Sequence, residues 1–130
     1  MSLNFNSFNI GGSNGGGTVN LWTPKVQSFY SNATLEPDTE NNTYKDYEVD
    51  LSELLPDDGA QYEVLFLLAC SGGNIVVNSD VVNALGGYVG TGDQRDQLLA
   101  PIGAGRKIIL RVHATSTGVY MNSSAYRKIG

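Results

Sequence analysis

Short runs of alternating apolar and polar residues, cut by glycine, asparagine and proline, organise this chain of 130 residues. Tyr47, Val49 and Leu51 fall on one side of their run, with Glu48 and Asp50 on the other. That two-residue period belongs to a half-buried strand. Ile108, Leu110, Val112 and Ala114 repeat it against Lys107, Ile109, Arg111 and His113. Residues 62–70 are almost wholly apolar, as in a strand covered on both faces. Residues 98–102 lead into a turn at Gly103-Ala104-Gly105, and Ser116-Thr117-Gly118 turns the chain into a last strand over 119–129. No window of useful length has a helical period. The pattern therefore predicts an all-β fold, a β-sandwich with jelly-roll-like character built from seven to nine short strands.

The remaining segments are read on the same basis. Leu3 and Phe5 alternate with Asn4 and Asn6, and Phe8 and Ile10 continue one residue out of phase after Ser7, which predicts a bulge or bend. Residues 11–17 (Gly-Gly-Ser-Asn-Gly-Gly-Gly) read as a flexible hinge, so 1–17 form an arm and 18–130 a single sandwich domain. Four large apolar side chains outside a hinge are costly to leave in water. Leu3, Phe5, Phe8 and Ile10 are thus candidate contacts, with docking between chains favoured over folding back. Val19 and Leu21 predict a short strand stopped by Pro24. Residues 25–30 predict another strand, and the polar stretch 31–43 a long surface loop. Leu54, Leu55 and Pro56 read as an apolar plug, followed by turn chemistry at Asp57-Asp58-Gly59. Ser71-Gly72-Gly73-Asn74 predicts a tight turn that pairs residues 75–77 with the strand before them. Residues 79–85 fit either a continuing strand or one helical turn. The glycine-rich stretch 86–92 around Tyr88 and Val89 fits a strand interrupted by bulges.

Charge narrows the partners. Thirteen acidic against eight basic residues give a net charge of -5, the wrong sign for nucleic acid or an anionic membrane surface. No apolar run approaches the ~20 residues of a membrane helix, so no membrane insertion is expected. Residues 1–17 have neither a basic start nor an apolar block, so the expectation is a soluble protein made in the cytoplasm without a secretory leader. Cys70 is the only cysteine, which excludes an internal disulfide, and its apolar run reads as the setting of an inert core thiol.

Tests for chemistry leave no catalytic set, no cofactor site and no metal site. The cluster at 11–17 lacks the Gly-Lys-Ser/Thr ending of a phosphate loop, Gly90-Thr91-Gly92 lacks a third glycine at the right place, and Gly103-Ala104-Gly105 opens a strand rather than a helix. His113 is the single histidine and reads as a surface or interface imidazole. Zinc would need more than one Cys and one His. The pairs Glu48/Asp50, Asp57/Asp58 and Asp93/Asp96 sit in turns or on a polar face, where solvation explains them, although loop oxygens of the latter two suit calcium. What remains is a set of candidate surface aromatics near loops or strand ends: Trp22, Tyr30, Tyr44, Tyr88 and Tyr120. Such rings stack on sugars or anchor a protein partner.

Asp50-Leu51-Ser52 with Leu55-Pro56, Asp58-Gly59, the run Tyr62-Glu63-Val64-Leu65-Phe66 and the closing Tyr126-Arg127-Lys128-Ile129-Gly130 carry a resemblance. The order of a "DLS-x-x-LP-x-D-G" element, a "YEVLF" strand and a "YRRIG" strand resembles small β-domains of bacteriophage and prophage fibre or appendage proteins. The likeness covers roughly residues 44–130, including Leu99 to Arg106, and Lys128 departs from the second Arg that is usual there. It implies a non-enzymatic virion structural protein, a homo-oligomer with a trimer favoured. Other virion proteins are the implied partners, with a cell-surface glycan as a further candidate. The extended repetitive stalk of long fibres is absent. The alternative from the same fold is a carbohydrate-binding β-sandwich module.

Overall fold

A computed structural model describes residues 21–38, 40, 44–89, 96–113 and 117–129, with backbone alone at 88 and 89. Among these residues the strands are β1 (Thr23–Pro24), β2 (Ser28–Leu35), β3 (Lys45–Asp50), β4 (Tyr62–Ser71), β5 (Asn74–Ser79), β6 (Gly86–Val89), β7 (Asp96–Ile102), β8 (Lys107–His113) and β9 (Thr117–Lys128). No helix occurs among the described residues.

Strands β2 to β9 pair as a mirror of their chain order. β2 meets β9, β3 meets β8, β4 meets β7 and β5 meets β6, all antiparallel. The eight strands therefore form one long hairpin with its tip between β5 and β6. Rolling it up brings β4 beside β9 and β5 beside β8. One sheet then runs β2-β9-β4-β7, with the two-residue β1 also paired to β9, and the other runs β3-β8-β5-β6. This is a jelly roll, and it is what the alternating pattern predicts.

The core lies between the sheets. Phe66 and Leu68 from β4, Ile75 from β5, Ile108 and Leu110 from β8 and Met121 from β9 are all fully buried there. Each such side chain contributes about 1.5–3 kcal/mol of burial. After β3 the amides of Leu54 and Leu55 both donate to the Leu51 carbonyl, at 3.0 and 3.1 Å, and this tight turn drives all three leucines inward. Pro56 does not join them. It is exposed, and its carbonyl faces the neighbouring loop instead of filling the core.

Four further expectations are corrected. Leu21 lies outside any strand and is 52% exposed, while Pro24 belongs to β1. A proline is tolerated there because, among the described residues, β1 pairs on one side, with β9. The strand expected over 25–30 is β2, which starts at Ser28 and runs through Leu35. Its register shifts twice against β9, and Asn32 has a positive φ of 63°, so its inward residues do not keep a simple alternation. That is why 31–35 reads as loop. Finally, β4 and β5 do not form a hairpin. Both edges of β4 are taken by β7 and β9, so Gly72, at φ 84°, turns the chain into the opposite sheet. Residues 80–85 are neither strand nor helix, and the Ser79 hydroxyl accepts from the amides of Val81 and Val82.

The roll sorts its connections between two ends. The strand ends that flank the β2–β3, β4–β5, β6–β7 and β8–β9 connections lie together, where Ser71 pairs with Gly118 and Asn74 with His113. At the opposite end lie the β3–β4, β5–β6 and β7–β8 connections, together with Leu21 and the end of β9.

Candidate functional site

The end holding Leu21 is built around Arg106. The residue has a φ of 54°, the left-handed conformation that L side chains rarely adopt, because Gly103-Ala104-Gly105 turns sharply and the Arg106 amide donates to the Gly103 carbonyl at 3.0 Å. The turn aims the side chain into the sandwich end, where it is buried. Its Nη1 donates to the carbonyls of Ala60 (2.6 Å) and Gly103 (3.0 Å), and its Nη2 to the Pro56 carbonyl (2.7 Å) and to Asp58 Oδ1 (3.2 Å). The guanidinium also stands 5.0 Å from the Tyr62 ring centroid. A buried charge requires this full set of acceptors.

Asp58 is the second half of that knot. Tyr62 donates its phenol proton to Oδ2 at 2.6 Å and the Ala60 amide donates to Oδ1 at 3.0 Å. The Tyr62 bond, the amide and the nearby Lys128 and Arg106 charges hold the Asp58 carboxyl below the usual carboxylate range. The same bond, with burial, pushes the Tyr62 phenol up to about 12. The carboxylate expected as a calcium candidate is therefore saturated by protein donors. Among the described residues no cluster of three or more His, Cys, Asp or Glu could hold a metal ion. Asp93 lies outside the described residues. Beside this knot a shallow groove of about 300 Å³ is lined by Leu21, Pro56, Tyr62, Tyr126 and Lys128, among others.

At the opposite end Tyr44 is 42% exposed, and its ring lies 4.5 Å from the His113 ring at a tilt of 36°. Arg111 sits 5.8 Å from the Tyr44 ring centroid and donates to Asp46 at 2.8 Å. This ladder stands on the outer face of the β3-β8-β5-β6 sheet, with the Lys107–Glu48 pair at 3.4 Å farther along. Exposed pairs of this kind contribute about 0–1 kcal/mol each, so their main effect is to keep edge strand β3 charged.

The outer face of the other sheet is different. On β4 the core takes Val64, Phe66, Leu68 and Cys70, so Leu65, Leu67 and Ala69 lie on the other side, where Leu65 and Ala69 are nonetheless buried, at 8% exposure each. Leu99 of β7 stands opposite Leu65 and is 47% exposed, and Tyr120 of β9 stands opposite Ala69. Asn122 Nδ2 donates to the Tyr120 hydroxyl at 2.7 Å, while the buried Asn122 Oδ1 has no hydrogen-bond partner among the described residues. The Glu63–Arg127 ion pair, with the Arg127 guanidinium 4.8 Å from the Trp22 ring centroid, brings charge to the end of β9 on this face.

The candidate aromatics do not converge. Trp22 and Tyr120 lie on the outer face of one sheet and Tyr44 at the edge of the other. Tyr30 packs against the core, and burial, with Tyr47 nearby, raises its phenol. Of Tyr88 only the backbone is described, paired with Ile75. Leu3, Phe5, Phe8 and Ile10 lie outside the described residues. Cys70 is buried, and burial pushes its thiol up, away from nucleophilic reactivity. Sequence reasoning missed Arg106 and the apolar outer face. The signal for the first was a Gly-x-Gly-Arg turn; for the second, it was Leu65 and Leu67 at outward positions of an already apolar run. Compared with models of known protein families and with curated proteins, the sequence matches none.

Proposed function

We propose that this chain is a non-enzymatic structural module of a phage virion, a head or tail fibre or appendage part, which self-associates and presents loops to a host or virion partner. One observation carries the reading: the strand ends that flank four connections lie together at one end of the jelly roll, and Leu21, the first described residue, lies at the other. A module anchored at one end and recognising at the other needs that division. The resemblance of residues 44–130 to phage appendage domains supplies the setting, since a jelly roll by itself hosts many functions. Light scattering on the full chain tests it. A stable homo-oligomer, with a trimer favoured, supports the proposal, while a strict monomer with hydrolase activity on host glycans overturns it.

A carbohydrate-binding module is the second reading. The exposed Tyr44 ring beside His113, Arg111 and Asp46 favours it, because a ring flanked by polar planar groups suits a sugar face and its hydroxyls. A monomer that binds glycans, with binding lost in Tyr44→Ala, would support this reading over the first.

A further inference from the structure

We propose that the corner formed by Tyr44, Asp46, Arg111 and His113 is a binding site for a neutral hexopyranose, taken by stacking on Tyr44. The proposal rests on the carbohydrate-binding reading above and names the site and the class of sugar.

Two strands build the corner. β3 and β8 are antiparallel, with Lys45 opposite Val112 and Asp46 opposite Arg111. Val112 goes to the core, so Asp46 and Arg111 lie on the outer face. Tyr44 and His113, each two residues away along its own segment, join them there and bring their rings together. His113 also pairs with Asn74 at the start of β5, so the corner lies among the strand ends that flank four connections.

Tyr44 is held and yet open. The His113 ring lies 4.5 Å away at a tilt of 36° and covers one face, and the Arg111 guanidinium stands 5.8 Å from the Tyr44 centroid. The residue is nonetheless 42% exposed. A ring fixed by its neighbours gives up little freedom on binding. An aromatic face suits the C–H groups on one side of a pyranose, while the sugar's rim of hydroxyls needs polar partners.

Charge selects the class. Arg111 Nε donates to Asp46 Oδ1 at 2.8 Å, so the cation nearest the ring is already matched by a carboxylate. Both side chains are about half exposed, at 48% and 49%, and they present the donor and acceptor types that adjacent hydroxyls use. A sugar carboxylate would meet the Asp46 charge or have to displace it from Arg111, whereas hydroxyls take the pair as it stands. Among the described side chains the other candidate rings do not extend the site, since Trp22 and Tyr120 stand on the opposite sheet and Tyr30 packs against the core. One ring holds one sugar unit, and binding gains strength where copies of the site are linked.

The test runs the full chain in native gels containing dextran, mannan or galactan, which are neutral, or polygalacturonate, which is acidic. Retardation is expected in at least one neutral gel and not in polygalacturonate. Tyr44→Ala, with folding checked by circular dichroism, is expected to weaken binding about tenfold, and Tyr44→Phe to retain it. Asp46→Asn, which leaves Arg111 unmatched, is expected to gain binding to polygalacturonate. Unchanged retardation of Tyr44→Ala overturns the site and leaves the carbohydrate-binding reading in place. A preference of the unmodified chain for polygalacturonate overturns the neutral class. No retardation in any gel removes the carbohydrate-binding reading, and the site with it.

Discussion

Arg106 and Asp58, 48 residues apart in the chain, meet at one end of the sandwich with Nη2 3.2 Å from Oδ1. The pair ties the β7–β8 turn to the β3–β4 connection, and three backbone carbonyls share the same guanidinium. Removing the side chain leaves the Pro56 and Ala60 carbonyls without this donor, while Gly103 keeps the Arg106 amide. Arg106→Ala is expected to destabilise by about 2–4 kcal/mol, measured by urea denaturation. Arg106→Lys should recover only part of this, since an ammonium cannot span the carbonyls of Pro56, Ala60 and Gly103 as the planar fork does. Equal stability of Arg106→Ala and the unmodified chain would refute the assignment.

Asp58 and Tyr62 set opposite pH limits. The folded-state carboxyl of Asp58 is depressed, so its stabilisation is present above the ordinary carboxylate pKa near ~3.9 and fades as acid carries the pH through the lower folded value. The Tyr62 phenol is raised, so its contribution is present below the ordinary tyrosine pKa near ~10 and is lost as pH climbs toward about 12. Asp58→Asn should flatten the acid limb of stability against pH, and Tyr62→Phe the alkaline limb. Ultraviolet titration should show a phenol near 12 that Tyr62→Phe removes.

Leu54 and Leu55 close the core from below β3, with 1% and 4% exposure. Leu54→Ala and Leu55→Ala are each expected to cost ~2–5 kcal/mol. Pro56→Ala, at an exposed site, should stay within about 0.5 kcal/mol. Thermal unfolding of the three variants separates these positions, and a small effect at both leucines would remove the plug.

Ser123 is buried on β9. Its hydroxyl donates to the Lys25 carbonyl at 2.7 Å and accepts from the Gln27 amide at 2.9 Å. It stitches the β1–β2 connection to the sheet. Ser123→Ala should cost about 1–3 kcal/mol. Hydrogen exchange should show faster exchange at the Gln27 amide, with the core amides of β8 unchanged in rank.

Alternation made β3, β8 and the inward faces legible, because Val49, Leu110 and Val112 obey a period of two without interruption. Turn chemistry was legible only as a bend, not as a destination. Ser71-Gly72-Gly73-Asn74 suits a hairpin as well as a crossing between sheets, and the choice was made far away by β7 and β9 occupying the edges of β4. β2 was half hidden because its bulges break the period at Ser28/Tyr30 and Ser31/Ala33. Arg106 read as an ordinary basic residue next to Lys107. Its burial depends on carbonyls from residues 56 and 60, a long-range fact with no local pattern.

The position of β9 has a consequence for how the chain is made. This 12-residue strand lies between β2 and β4 in the middle of its sheet, yet it follows every other described strand in the sequence. A nascent chain lacking it has β4 paired on one side only, with β1 and β2 left without a neighbour. That sheet cannot be completed until β9 is made, and the edge of β4, which ends at Ser71, waits for a partner that begins at Thr117. Such non-local pairing folds slowly and leaves an open strand edge at risk of aggregation until β9 has emerged.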